Sequence, residues 1–417
     1  MISIGMDVSK GKSTVCVRRH GGEILREPFD LQHTDEDLDA LCDFIADLSQ
    51  EAEVRVVMEA TGIYHLPVLM RLKEAGFFVC VVNPLVMKKF SAQSIRRGKN
   101  DRRDAMKIAS FGLEKWFSLE DFTPSQHIYD ELRLLGRQYM HYVTVKISCK
   151  QNLSCLLERT MPGISSLLES NHTGTAGKDK LLDFVAQYWH YDNITCMSQK
   201  AFLNHYHRWA RKHGYYYSEH KAISIYETAL QAIPSLPANS CCTRLLMERA
   251  LHSLREITQD AAAILQAMQE LAQQLPEYGI VRSMEGVGDV LAPRLIAEIG
   301  DIRRFHSPSA LVAYAGIDSP EFQSGSFAAN TRHISKRGSS LLRKTCYEVM
   351  QSLKRVRCEE SPIYQYMLKK EQEGKHKKVA KVAGMNKFLR IYYARVKACY
   401  PLEFGHKKSG FTPQFAS

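Results

Sequence analysis

The sequence contains no apolar run approaching the roughly 18 residues that a membrane-spanning helix requires, and no basic segment followed by an apolar one opens it. It starts directly on the strand-like ISIGMDVS, so a soluble, cytoplasmic protein without a visible export signal is expected. Its 11 cysteines form no C-x-x-C pair. Their spacing suits neither a zinc ribbon nor a small disulfide scaffold and predicts free thiols in a reducing compartment. The 16 histidines include His205 and His207, yet no second pair stands at zinc spacing, which leaves them as surface or packing residues.

Length and unevenly placed charge are what the chain does have. At 417 residues it exceeds one ordinary core, so two or three domains are expected. The net charge is +11, but from Phe327 onward there are 20 Lys and Arg against 6 Asp and Glu, leaving 36 against 39 before it. The excess positive charge therefore belongs to one end, which reads as a nucleic-acid contact surface ahead of a membrane surface or an acidic partner.

Strand-like ISIGMDV, STVCVRR and EILREPF, separated by Gly11 and by Gly21-Gly22, predict a β-meander. A helix follows over TDEDLDALCDFIADL behind a Thr-Asp cap, then a buried strand VRVVME, a helix ending on Gly76 and a strand FFVCVVN. Three antiparallel strands followed by alternating helix and strand match a ribonuclease-H-like domain over residues 1–120. From His127 the spacing of Ile128, Leu132, Leu135, Tyr139 and Tyr142, broken in polarity at Lys146, predicts a long helix with a narrow apolar seam. Met247, Ala250, Leu254, Ile257 and Ala261 predict a second. These helices, over 126–160 and 240–276, would form a coiled coil with each other or with another subunit, or stand as two ordinary core helices of a bundle. Between them, residues 161–239 are rich in aromatics and His. Such residues stack on unpaired bases or, more commonly, pack a small domain. Residues 277–417 read as mainly helical, with Gly286-Val287-Gly288 in a helix-hairpin-helix-like turn suited to a nucleic-acid backbone. The fold class is thus α/β plus α.

Asp7 ends the first strand and Glu59 the fourth, neighbours in such a sheet. KNDRRDA places Asp101 and Asp104 three apart, on one face of a helix start behind Asn100. Each acid alone is a strand-end or cap residue. Together, four carboxylates on one edge would repel one another unless divalent cations neutralise them, and Mg2+, a hard ion that prefers oxygen, fits. Lys99, Arg102 and Arg103 beside them would hold a polyanion.

GMDVSK, MEATGIY, KNDRRDA, AYAGIDSPEFQSG and ISKRGSSLLR, in that order, resemble the DEDD-type insertion-sequence transposases, the group of RNA-guided bridge recombinases and pilin-gene invertases. The resemblance spans both ends of the chain and says little about residues 163–238. It implies a RuvC-like domain with Asp7, Glu59, Asp101 and Asp104 as metal-holding catalytic acids, a coiled-coil linker, and a transposase domain with a nucleophilic serine. By motif the serine is Ser324, with Ser326 the other candidate. Arg332, Lys336, Arg337 and Arg343 could position phosphates. The family further implies donor and target DNA, a structured guide RNA, a homo-oligomer (dimer or tetramer) with composite sites, and a bacterial, nucleoid-associated location. GIDSPEF departs from the family wording, in which Pro often follows the Asp directly, and this leaves the loop before Ser324 open. Asn100-Asp101 replaces the common Thr-Asp and still offers a cap.

Three rivals remain. A Holliday-junction resolvase would use the same acids with water and no serine. A sugar-kinase or actin-like ATPase would explain GMDVSKGKSTVCV, but no Asp-Gly-Gly phosphate loop follows it. A non-catalytic packaging protein would need the basic tail alone.

Overall fold

A computed structural model describes residues 1–60, 62–91, 100–122, 127–168, 179–319, 323–324, 327–328 and 333–400. The chain divides into two compact units, Met1–Pro124 and Ser125–Ser417.

The first unit opens with β1 (Ile2–Ser9), β2 (Lys12–Arg19) and β3 (Ile24–Gln32), paired antiparallel in sequence. Then come α1 (Asp35–Glu51), β4 (Val54–Glu59), α2 (Leu66–Glu74), β5 (Val79–Val82), α3 (Pro84–Ser91) and α4 (Asp101–Glu114). The sheet order is β3-β2-β1-β4-β5, with β4 parallel to both β1 and β5. Three antiparallel strands extended by two parallel ones form the ribonuclease-H-like arrangement that the element order predicts. Thr34 caps α1 by accepting from the Asp37 amide, as the Thr-Asp start implies.

Alternation along the strands assigns the two faces. Ile2, Ile4, Met6 and Val8 of β1 join Val15, Val56 and Met58 in a core closed by Leu38, Leu41, Ile45 and Leu69 of α1 and α2. The residues between them face α4. Ser3 lies under Gly112, and Gly5 lies under the backbone of Ala105 and Ala109. A Cβ on Gly5 would overlap the Ala109 amide nitrogen and the Ala105 carbonyl, so the close approach requires glycine there. Because this obstacle is backbone, Gly5→Ala must push the helix off the sheet, at an expected cost of about 2–4 kcal/mol. Thermal unfolding of the full chain should show the first unit melting earlier, and an unchanged profile would contradict the packing.

In the second unit, α5 (His127–Thr160) and α11 (Cys241–Ala272) form an antiparallel pair about 50 Å long. They pack on each other, one of the two arrangements the seams allowed. At one end Tyr129, Leu132, Met268 and Ala272 enter one core, and at the other Leu153, Leu157, Met247 and Leu254 enter a second. Leu135 packs partly buried against the first core, and Gly136 beside it is buried near Ala297 and Met268, because a third helix covers that side of α5. Lys146, in the half-exposed middle, has its ammonium pKa lowered by burial and by Lys150.

The second core is built by α6 (Ile164–Leu168), α7 (Lys180–Gln187), α8 (Asp192–Thr195), α9 (Gln199–His213) and α10 (Glu219–Gln231). Tyr188, Tyr191, Phe202, Tyr206 and Trp209 are buried in it, with Phe202 and Trp209 stacked on either side of Tyr206. For these five, packing accounts for the aromatic side chain.

The first core is completed by α12 (Tyr278–Arg282), α13 (Leu291–Ile299), α14 (Pro308–Tyr314), α15 (Ser340–Val356), α16 (Pro362–Gln372) and α17 (Lys377–Lys397). A two-stranded hairpin, β6 (Gln323–Ser324) and β7 (Phe327–Ala328), lies between α14 and α15. Glu277, 1% exposed, accepts hydrogen bonds from Tyr129 (2.7 Å) and Tyr400 (2.5 Å), tying the start of α5 to the end of α17. Two phenolic donors satisfy a carboxylate that would otherwise be costly to bury. All 11 cysteines are free thiols. Among the described residues no helix is long and apolar enough to cross a membrane.

Candidate active site

Asp7 stands one residue beyond the Met6–Met58 register pair, level with Glu59 on the adjoining parallel strand. Both alternate with core-facing methionines, so both lie on the α4 face. The chains of β1 and α4 run antiparallel: stepping forward along β1 from Ser3 to Gly5 to Asp7 accompanies stepping back along α4 from Gly112 to Ala109 and Ala105 to its first turn. Two strand residues advance about 6.6 Å and four helix residues about 6 Å. The matched steps carry Asp101 and Asp104 to the end of the sheet where Asp7 and Glu59 stand. Asn100 starts the helix there, its side chain accepting from the Arg102 amide at 3.1 Å.

The edge is wider than the four acids. Thr14 pairs with Asp7 across β1–β2 and with Asp30 across β2–β3, and its hydroxyl donates to Asp30 at 2.8 Å. That hydrogen bond, followed by the Lys12 ammonium, holds the Asp30 carboxyl below the usual range, and Arg102 adds to the effect. Arg102 and Arg103 are exposed. Lys99 lies outside the described residues.

The donor set is carboxylate oxygen, which suits a hard divalent cation. Cys16, the nearby sulfur, is buried against Ala105 and Ala109, and burial raises its thiol pKa. Asp104 pairs with Lys107 at 2.8 Å, with both side chains about one-quarter exposed. Among the described residues no three His, Cys, Asp or Glu side chains stand close enough to hold an ion. The residues fit a metal in kind and in strand level, and Lys107 occupies one of the two Asp104 carboxylate oxygens.

In the second unit Ser324 ends β6, paired with Phe327. Ser326 and Arg332 lie outside the described residues. The loop carrying Ser324 leaves the core after α14 and returns before α15, and its two stems are bonded to each other. The Ser335 amide donates to the Asp318 carbonyl at 2.9 Å and its hydroxyl to Asp318 Oδ1 at 2.5 Å. The Lys336 amide donates to Gly316 O at 3.0 Å and the Ser339 amide to Tyr314 O at 2.7 Å. A Cβ on Gly338 would overlap the Tyr314 carbonyl, which is why glycine stands there. Lys336 has φ +55°, a left-handed conformation that costs a non-glycine residue about 1 kcal/mol or more. The surrounding bonds outweigh this cost.

Arg343 donates to Ala315 O at 2.9 Å behind this neck and also lines the groove between α15 and α17. Lys336 and Arg337 are exposed. Ser339 caps α15 and donates to Glu298 at 2.8 Å. Buried Arg294 is fixed by Glu348 at 2.5 Å. A groove of about 390 Å³ opens between α15 and α17, lined by Lys344, Tyr347, Gln351, Val382 and Met385 among others. Lys381 Nζ sits 5.1 Å over the Tyr347 ring. Sequence reading passed over Asp318, Ser335, Lys344 and Lys381. The signal for the first two was a pair of glycines, Gly316 and Gly338, one in each flanking motif.

Comparison with known proteins gives the family. A transposase family model of the DEDD, IS110 type matches residues 4–162, and a model described as transposase IS116/IS110/IS902 family matches residues 278–365. The pilin gene-inverting protein of Moraxella bovis is 32% identical over 127 residues, covering 30% of this chain and 38% of that protein, so well under half of that relative is spanned. The insertion element IS116 uncharacterized 44.8 kDa protein of Streptomyces clavuligerus is 23% identical over 376 residues, 89% of each chain. Among solved structures, Thermus thermophilus RuvC is 14% identical, with a TM-score of 0.22, covering 29% of this chain and 100% of that one. The two family models match the two ends of the chain that carry the motifs, and the Streptomyces relative runs between them: this chain belongs to the IS110/IS116/IS902 family of DEDD-type transposases.

Proposed function

We propose that the protein is the recombinase of an insertion sequence. In this reading it cuts and rejoins DNA through the Ser324 hydroxyl, with Asp7, Glu59, Asp101 and Asp104 holding Mg2+. The observation that carries it is the antiparallel run of α4 along β1, which supports a four-carboxylate edge assembled from distant parts of the sequence. A bound divalent ion supplies positive charge to a phosphate whose ester bond is to be exchanged. Ser324 Oγ loses its proton and bonds phosphorus as the bond to a DNA hydroxyl breaks, and the departing oxygen takes up a proton. Phosphate esters are conserved in number, so rejoining needs no ATP.

The test is the fate of the cut end on a plasmid carrying the element's ends, without ATP. Protein covalently attached to DNA, together with rejoined recombinants, supports the proposal. Free ends without adduct indicate hydrolysis by water, the resolvase reading.

A homo-oligomer with DNA and a structured guide RNA completes the proposal. The RNA would be held chiefly by shape, 2′-hydroxyls and phosphates, leaving target choice to base pairing. The groove between α15 and α17 supports a role in nucleic-acid contact, since Lys344 and Lys381 flank it. Lys344→Ala and Lys381→Ala should each reduce the slope of log affinity against log salt by about one. Filter binding across a salt series measures this, and an unchanged slope removes the groove from the interface.

A further inference from the structure

The neck of the serine loop is built more firmly than a surface connection needs. Its stems, 314–318 and 335–339, are joined by four hydrogen bonds between Asp318 and Ser335, Gly316 and Lys336, and Tyr314 and Ser339. Arg343 and Glu298 brace it from behind through Ala315 and Ser339. Glu298, 7% exposed, sits on α13, every residue of which beyond the first is buried, so the brace is continuous with the core. The outermost bond of the neck is a side-chain pair, Asp318 with Ser335. The strained residue, Lys336, comes immediately after it. Strain persists where surrounding structure over-determines the backbone, and such positions collect where a group must be aimed.

We propose that Asp318 and Ser335 form a clasp that sets the direction in which the β6–β7 hairpin presents its nucleophile, making both positioning residues. The proposal rests on the reading of Ser324 as that nucleophile. A clasp fixes the loop ends, so the serine reaches phosphorus without searching orientations. Its loss should therefore reduce the rate at saturating DNA and leave affinity alone.

The test compares full-length Ser335→Ala, Asp318→Ala, Ser335→Thr and Ser324→Ala in single-turnover adduct formation over a range of DNA concentrations. Both alanine clasp variants should be slowed about tenfold or more at saturation, with half-saturating DNA changed less than about twofold. Ser335→Thr, which keeps the hydroxyl, should recover most of the rate. A clasp variant with parental rate, or one that loses affinity alone, overturns the proposal. Amide hydrogen exchange of residues 319–334 keeps the two readings separable. It should quicken about fivefold or more in the alanine variants, with α13 and α15 unchanged. If Ser324→Ala still forms adduct, the nucleophile assignment fails while the exchange result still decides the clasp. Unchanged exchange overturns the clasp.

Discussion

Ser324→Ala is expected to lower strand exchange and covalent adduct formation by about a thousandfold or more, with DNA affinity held within about twofold. The size of the effect follows from the chemistry: alanine removes the atom that would bond phosphorus, and no neighbouring rearrangement restores it. Ser326→Ala is the control, because Ser326 is the other serine of the motif and should retain activity within about threefold. Gel analysis of radiolabelled DNA after proteinase treatment reads the adduct directly. Parental adduct from Ser324→Ala with none from Ser326→Ala would transfer the role. Adduct from both would remove serine from the chemistry.

Asp7→Asn and Glu59→Gln carry the second large effect. Each keeps the shape of the side chain and removes one charge at the level where β1 and β4 end together. If these carboxylates hold a divalent ion, activity should fall by about a thousandfold. Folding should be preserved, since removing one of several like charges relieves repulsion. The accompanying readout is thermal. Mg2+ should raise the melting temperature of the parent by mass action and leave both variants unmoved. Full activity in either variant, or equal stabilisation of all three by Mg2+, would dismiss the carboxylate edge as a metal site.

The acids were legible because strand ends and helix caps announce themselves locally. Asp7 closes an alternating strand, Glu59 a buried one, and Asn100 precedes Asp101 and Asp104 as a helix start. The aromatic segment was legible in composition and ambiguous in purpose. Phe202, Tyr206 and Trp209 recur at helical spacing, a pattern common to a packing face and a stacking face, and burial against Phe184 and Tyr188 decides between them. Arg343 shows what local pattern leaves out: it donates to a carbonyl 28 residues away, a partner that its basic and polar neighbours in sequence do not reveal.

Periodicity, caps and charge placement are properties of neighbouring residues. The sequence by itself therefore determined the meander, the two long helices, the strand-end and helix-start positions of the four acids, and the basic end. Contacts between distant segments depend on how surfaces fit, and folding alone decided those. Gly5 and Gly112 let α4 settle against β1 in one direction, so that its first turn lies toward the end of the sheet where β1 and β4 end. Gly316 and Gly338 let two stems approach closely enough for Asp318 to meet Ser335. In both places a missing side chain creates the contact, and the effect of a missing side chain is set by what lies across the gap.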